Sequence, residues 1–139
     1  MDAIIFVVDG TLWDSRVPVA QSWNRSLERY TGKPSHFTPE YLGSFFGRTM
    51  EEIAGVLLPD APREEQLAFG AVCFREENEW LETHPGILYP GVEETLQELH
   101  RRYPLYIVSN CQSGYIEVML KTTGLGRYFA GHLCYGDTG

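Results

Sequence analysis

The residues best suited to chemistry in this chain fall in two short stretches, Asp9-Gly10-Thr11 and Ser109-Asn110. An aspartate gives and takes protons, serine and asparagine donate hydrogen bonds, and glycine lets a ligand approach the backbone closely. Each stretch follows an apolar run, Ala3 to Val8 in one case and "LYIVS" in the other. Ligands of open α/β sheets sit beyond the carboxyl ends of the strands. If the two runs are neighbouring strands, their loops converge on a phosphate-sized pocket. Gly10 and freed loop N–H groups would then face an anion, with the Ser109 hydroxyl reaching the same oxygens. Blander roles exist for both stretches: Asp-Gly-Thr makes an Asx-turn, and Ser109-Asn110 can simply enter a helix.

The elements that must hold these residues follow from periodicity. Ala3 to Val8 is continuously apolar and rich in β-branched residues, which predicts a parallel strand covered on both faces. Val17, Ala20, Trp23, Leu27 and Tyr30 predict a helix that Gly32 and Pro34 end. Thr38 caps a second helix from Pro39 to about Phe46, and Thr49 with Glu52 forms a capping box for a third. A fourth runs from near Pro62 to Thr83, with Leu67, Ala71, Phe74 and Leu81 on its inner stripe. Trp23, Phe45, Phe46, Phe74 and Trp80 are expected in the core of these helices. Alternation then resumes: a helix in "YPGVEETLQELHRRY", the strand "LYIVSN", a helix in "SGYIEVMLKTTG" and a short strand "HLCY". The expected architecture is an α/β core with a four-helix insertion after its first strand.

Composition narrows the function classes. The chain of 139 residues suits one domain, or a small domain with an insertion. Its 11 basic and 19 acidic residues leave a formal net charge of −8, which argues against a nucleic-acid backbone binder. No apolar run approaches the roughly 20 residues of a membrane span, so no membrane role is expected. The start of the chain lacks a basic region and a small-residue cleavage site, so no signal peptide is expected. Cys73, Cys111 and Cys134 are odd in number and scattered, as reduced thiols of a cytoplasmic protein would be. His36, His84, His100 and His132 show no metal-ligand spacing.

"IIFVVDGTLWDS", the helical insertion, "YPGVEETLQEL", "YIVSN" and "CYGDTG", in this order, resemble the haloacid dehalogenase superfamily. Within it they resemble the phosphoglycolate phosphatase-like branch with an α-helical cap. The resemblance implies a Rossmann-like parallel sheet core in residues 1–16 and 86–139 and a four-helix cap in residues 17–85. It also implies Mg²⁺-dependent hydrolysis of a small phosphorylated metabolite. The family's first motif is D-x-D-G-T, whose first aspartate attacks phosphorus and whose second serves as acid and then base. On this resemblance Asp9 is the second aspartate, and its backbone carbonyl is a magnesium ligand. Gly10 and Thr11 shape the phosphate loop, Ser109 with Asn110 binds phosphate, and Arg48 reaches a substrate anion from the cap. A solvated or cap-packing role for Arg48 stays open.

The nucleophile position holds Val7, which has neither an attacking oxygen nor a metal ligand. The family's third-motif lysine and fourth-motif acids find no counterpart up to Gly139, and Lys121 belongs to a helix. The expectation is therefore a phosphatase by descent that is inactive or severely impaired, with a core incomplete at its C-terminal end. The alternative is a non-catalytic phosphate-binding or protein-interaction module. The first strand is expected at a sheet edge, covered by a second copy, a helix or another partner.

Overall fold

The parallel sheet is built from three strands, β1 (Ile4–Phe6), β4 (Leu105–Ser109) and β5 (Gly131–Cys134), in the order β1-β4-β5. The structure, a computed structural model, describes residues 2–137, so Thr138 and Gly139 of "CYGDTG" lie outside the described residues. Ile4 stands opposite Leu105 and Phe6 opposite Ile107, while Ser109 stands opposite Cys134. Alternation sets the two faces. Leu105 and Ile107 are buried in one cluster with Leu96, Ile116, Met119 and Leu125. Leu96 belongs to α5 (Val92–Leu99), and Ile116 and Met119 to α6 (Tyr115–Thr123).

The first strand departs from expectation in two ways. It ends at Phe6, one residue before Val7, and its outward face is open rather than covered. Ile5 is 66% exposed and Val7 54%, and the outward residues Tyr106, Val108 and Leu133 are also exposed. A β-branched run specifies extended backbone, but it carries no count of the layers that will pack on it. β1 does lie at the sheet edge.

Four helices leave and return between β2 (Trp13–Asp14) and β3 (Ile87–Leu88): α1 (Arg16–Thr31), α2 (Pro39–Gly43), α3 (Met50–Leu57) and α4 (Arg63–Thr83). Gly32 adopts φ 72° and returns its N–H to the Glu28 carbonyl, the left-handed stop expected after α1. The Oγ1 atoms of Thr38 and Thr49 accept the N–H groups of Tyr41 and Glu52, capping α2 and α3. The inner stripe of α4 holds at Phe74 and Leu81, as expected, but not at Leu67 and Ala71. Leu67 is 42% exposed and Ala71 is exposed, whereas Gln66, Phe69, Cys73, Phe74, Glu77 and Leu81 are buried. The buried set keeps helical spacing but includes a carboxylate, which hydrophobic patterning passes over. Trp23 packs against Phe37, Phe45 and Phe74 at the centre of these helices. Trp80 is only half-buried, stacked on His84 and under the Arg25 guanidinium.

β2 and β3 form an antiparallel two-residue ribbon where the chain crosses between sheet and helices, pairing Trp13 with Leu88 and Asp14 with Ile87. Strands this short leave no periodic signal, so they were not expected. Gly86 lets the ribbon close, because a Cβ there would lie 2.8 Å from the Trp13 ring and 2.9 Å from the Asp14 carbonyl oxygen. Gly86→Ala is expected to cost about 1–3 kcal/mol through overpacking. Denaturant midpoints would show it, with Gly126→Ala as a neutral control, since its nearest neighbour would be 3.9 Å away.

Candidate active site

Asp9 follows β1 and Ser109 ends β4, so the parallel pairing brings their loops together at one end of the sheet. A hollow of about 340 Å³ opens there, lined by Val7, Val8, Asp9, Val108, Ser109 and Asn110, with Phe46 and Gly47 from the helical insertion. A tighter cavity of about 60 Å³ adjoins it and reaches into the insertion. Asp9, Ser109 and Asn110 line this one too, together with Arg48, Glu77, Tyr115 and aromatic walls from Trp23, Phe45 and Phe74. Five expected residues thus share one place: Val7, Asp9, Arg48, Ser109 and Asn110. Among the described residues, Arg48 is the only basic one lining either cavity, and its guanidinium sits 5.5 Å from the centre of the Phe45 ring. The Asn110 amide donates to the Gly47 carbonyl at 2.9 Å, tying the loop after β4 to the insertion.

Gly10 and Thr11 line neither cavity. Their N–H groups donate to the carbonyls of Trp13 and Val8, each at 3.2 Å, and the Leu12 N–H joins Val8 at 2.8 Å. The loop spends these amides on its own tight turn, for which Gly10 supplies φ 77°. The expectation that they stand free for an anion is not met. Thr11 instead lines a groove on another side, with Phe6, Tyr89 and Val92.

The Asp9 carboxyl is held by three residues that sequence reasoning did not single out. Its Oδ1 accepts from Trp13 Nε1 at 3.3 Å, from Ser15 Oγ at 3.1 Å and from the Tyr115 phenol. Ser15 Oγ and the Tyr115 oxygen also lie 3.0 Å apart. Burial pushes the Asp9 carboxyl above its usual range, although the bonds from Tyr115, Ser15 and Trp13 pull the other way. Burial likewise pushes the Tyr115 phenol up, reinforced by the nearby carboxyls of Asp9 and Glu77. Tyr115→Phe removes the strongest of the bonds that favour the ionised form, so the Asp9 carboxyl should titrate at still higher pH. Carbon-13 carboxyl NMR would show the rise, alongside a stability loss of about 1–2 kcal/mol.

Glu77 is the second carboxyl in this region. Its Oε1 accepts from Trp23 Nε1 at 2.6 Å and its Oε2 from Gln112 Nε2 at 2.7 Å. Burial pushes it up to about 7, against the two hydrogen bonds that lower it. Trp13 and Ser15 stand two and four residues after the Asp-Gly-Thr motif, and that proximity was the one available hint. Nothing local marks Glu77, Gln112 or Tyr115.

A family model described as haloacid dehalogenase-like hydrolase matches residues 4–139. The chain belongs to that family. Among curated proteins it is 30% identical over 129 residues to the pyrophosphatase PpaX of Bacillus velezensis, covering 91% of this chain and 56% of the relative. It is 26% identical over 133 residues to a phosphoglycolate phosphatase of Vibrio parahaemolyticus, covering 91% and 58%. The chain spans a little over half of the lengths of these relatives. A haloacid dehalogenase-like hydrolase from Bacteroides fragilis has the same fold, with a TM-score of 0.81 at 21% identity over 99% of this chain and 64% of that one.

Haloacid dehalogenase-like phosphatases use magnesium, and the residues described here do not fit that ion. Mg²⁺ demands near-octahedral oxygen ligands, with carboxylates prominent among them. Among the described residues, no group of three or more His, Cys, Asp and Glu side chains is placed to hold a metal. Val7 offers no oxygen, and Asp9 Oδ1 already accepts three donors. Lys121 lies elsewhere, paired with Glu82 at 3.3 Å. Among the described residues, no helix is long and apolar enough to cross a membrane.

Proposed function

We propose that this chain is a haloacid dehalogenase-like phosphatase in architecture that holds the phosphate of a small metabolite without hydrolysing it at a useful rate. The observation that carries the reading is Val7, which lines the hollow beside Asp9 and Ser109 where the family's attacking carboxylate belongs. Residues 17–85 act as a cap over a core made of residues 1–16 and 86–139. Ser109 donates its hydroxyl to a phosphate oxygen, Asn110 keeps the neighbouring loop against the cap, and Arg48 supplies the positive charge. The raised affinity of Asp9 for its proton suits a donor to a leaving oxygen. With no oxygen at Val7 there is no covalent step for that proton to assist.

Calorimetry with inorganic phosphate and 2-phosphoglycolate tests the binding half of this reading. Saturable heat is expected, weakened about ten- to hundredfold in Ser109→Ala and in Arg48→Ala, as loss of a hydrogen bond to a charged group implies. No heat with either ligand would overturn it.

A second reading, a protein-interaction module, is favoured by one observation. The open outer face of the sheet and the unpaired edge of β1 form a continuous apolar surface through Ile5, Val7, Tyr106, Val108 and Leu133. Sedimentation velocity that finds only monomer, with the amide protons of β1 exchanging freely, would remove this reading.

A further inference from the structure

Gln112 stands where the helical insertion meets the loop after β4. Its side-chain nitrogen has two N–H groups and donates to two acceptors on α4, Glu77 Oε2 at 2.7 Å and Asn78 Oδ1 at 2.8 Å, with the Phe74 carbonyl 3.4 Å away. Asn78 returns the contact, its Nδ2 donating to the Ser113 carbonyl at 2.9 Å. Glu77 is only 4% exposed, and its other oxygen takes the Trp23 indole N–H. One buried carboxylate therefore heads a chain of hydrogen bonds that runs through Gln112 and Asn78 to the backbone of the loop bearing Ser109 and Asn110. That loop is gripped from behind as well. The Gly136 N–H donates to the Cys111 carbonyl at 3.1 Å, and a Cβ on Gly136 would come within 2.4 Å of the Ser113 nitrogen.

We propose that Glu77 is a positioning residue for the Ser109–Ser113 loop, holding it through Gln112 and Asn78 when ionised and loosening it on taking up a proton. Both Glu77 oxygens face N–H donors, an arrangement only a carboxylate satisfies in full. A neutral carboxyl has an O–H that needs an acceptor, and an indole N–H cannot accept. Gln112 must then turn its amide to present Oε1. That turn sets its oxygen against Asn78 Oδ1, so Asn78 must turn too and withdraw Nδ2 from Ser113. The change at one carboxyl is thereby delivered to the loop backbone.

The groups around Glu77 set where the switch operates. Asp9 from the loop after β1, Tyr115 from α6 and Cys73 from α4 itself act on it electrostatically, and Arg48 lines the same cavity. Burial dominates and raises the carboxyl to about 7, so both forms are populated near neutral pH. The consequence for phosphate rests on the function proposed above; the coupling does not.

Proton–nitrogen NMR of the full chain across neutral pH tests it. The Trp23 indole, the Gln112 side-chain amide and the backbone amides of residues 109–113 are expected to titrate together with one midpoint near 7. One pH unit to either side, the two forms should stand at about ten to one. Glu77→Gln should abolish that midpoint at every one of these signals. Asn78→Ala should keep it at Trp23 and Gln112 and lose it at Ser113. Loop amides that fail to titrate with Trp23, or that keep the midpoint in Glu77→Gln, overturn the proposal. If Glu77→Gln does not fold, the wild-type and Asn78→Ala titrations decide the matter. Absence of phosphate binding would defeat the proposed function while leaving this coupling standing.

Discussion

The purified chain supplied with Mg²⁺ and p-nitrophenyl phosphate is expected to turn over no faster than buffer, and Val7→Asp alone is expected to leave it there. Removing one member of a catalytic set that acts as a unit typically costs about 10⁴–10⁶ in rate, and the losses are far from additive. Phosphoryl transfer depends on positioning and on neutralising the charge of the moving group. Among the described residues, Arg48 is the sole cation lining the two cavities and no metal-holding cluster stands beside it. A carboxylate restored at position 7 would face the phosphate without that neutralisation and would repel it. Metal-dependent turnover that follows the protein through purification and vanishes in Asp9→Asn would overturn the inactive reading. A hundredfold gain from Val7→Asp alone would overturn the account of what is lacking.

Stability should fall as pH rises through the range in which Glu77 ionises. Burial raises this carboxyl from its ordinary 4.5 to about 7. Between those values the native chain keeps a proton that the unfolded chain has released. The unfolding free energy therefore declines across that window and levels off above it. At about 1.4 kcal/mol per decade of proton affinity, the decline attributable to Glu77 is roughly 3 kcal/mol. Asp9, also raised, acts in the same direction, while Asp14 and Asp137, both lowered from 3.8, exert their effect at lower pH than this window. The difference between wild type and Glu77→Gln isolates the one group. Denaturant unfolding at closely spaced pH values would give it, and parallel curves for the two proteins would show that Glu77 is not the source.

Cys73 and Cys111 bear on the same question of what is reactive. Burial pushes both thiols far above their ordinary range, so neither is a nucleophile to replace the one missing at Val7.

The helices and the two main strands could be read from the chain because each is a local pattern. Thr38 and Thr49 cap because their hydroxyls lie three residues before an open N–H, and Gly32 stops a helix because it tolerates φ 72°. The pairing of an acid after one strand with a serine after another was legible for the same kind of reason. Parallel strands in an α/β sheet point their carboxyl ends the same way, so Asp9 and Ser109 had to meet if their strands were neighbours. Val7 showed itself as an apolar residue in a place where the family resemblance requires an acid.

Only the tertiary structure decided the rest, because the deciding interactions join residues far apart in the chain. The turn of α4 that buries Glu77 and exposes Leu67 depends on Trp23 and Gln112 being there to donate, and one chain does not say which distant donors will arrive. Asp9 is likewise gripped by Tyr115, which stands at the start of another helix. The two-residue ribbon of Trp13 and Leu88 exists only because the insertion brings its ends together. Apolar character in β1 named a strand, but burial is a property of what packs on it, and its outer face stands open. Local preference is written in neighbours along the backbone. Burial and proton affinity are set by neighbours in space, and those had to be folded before they could be seen.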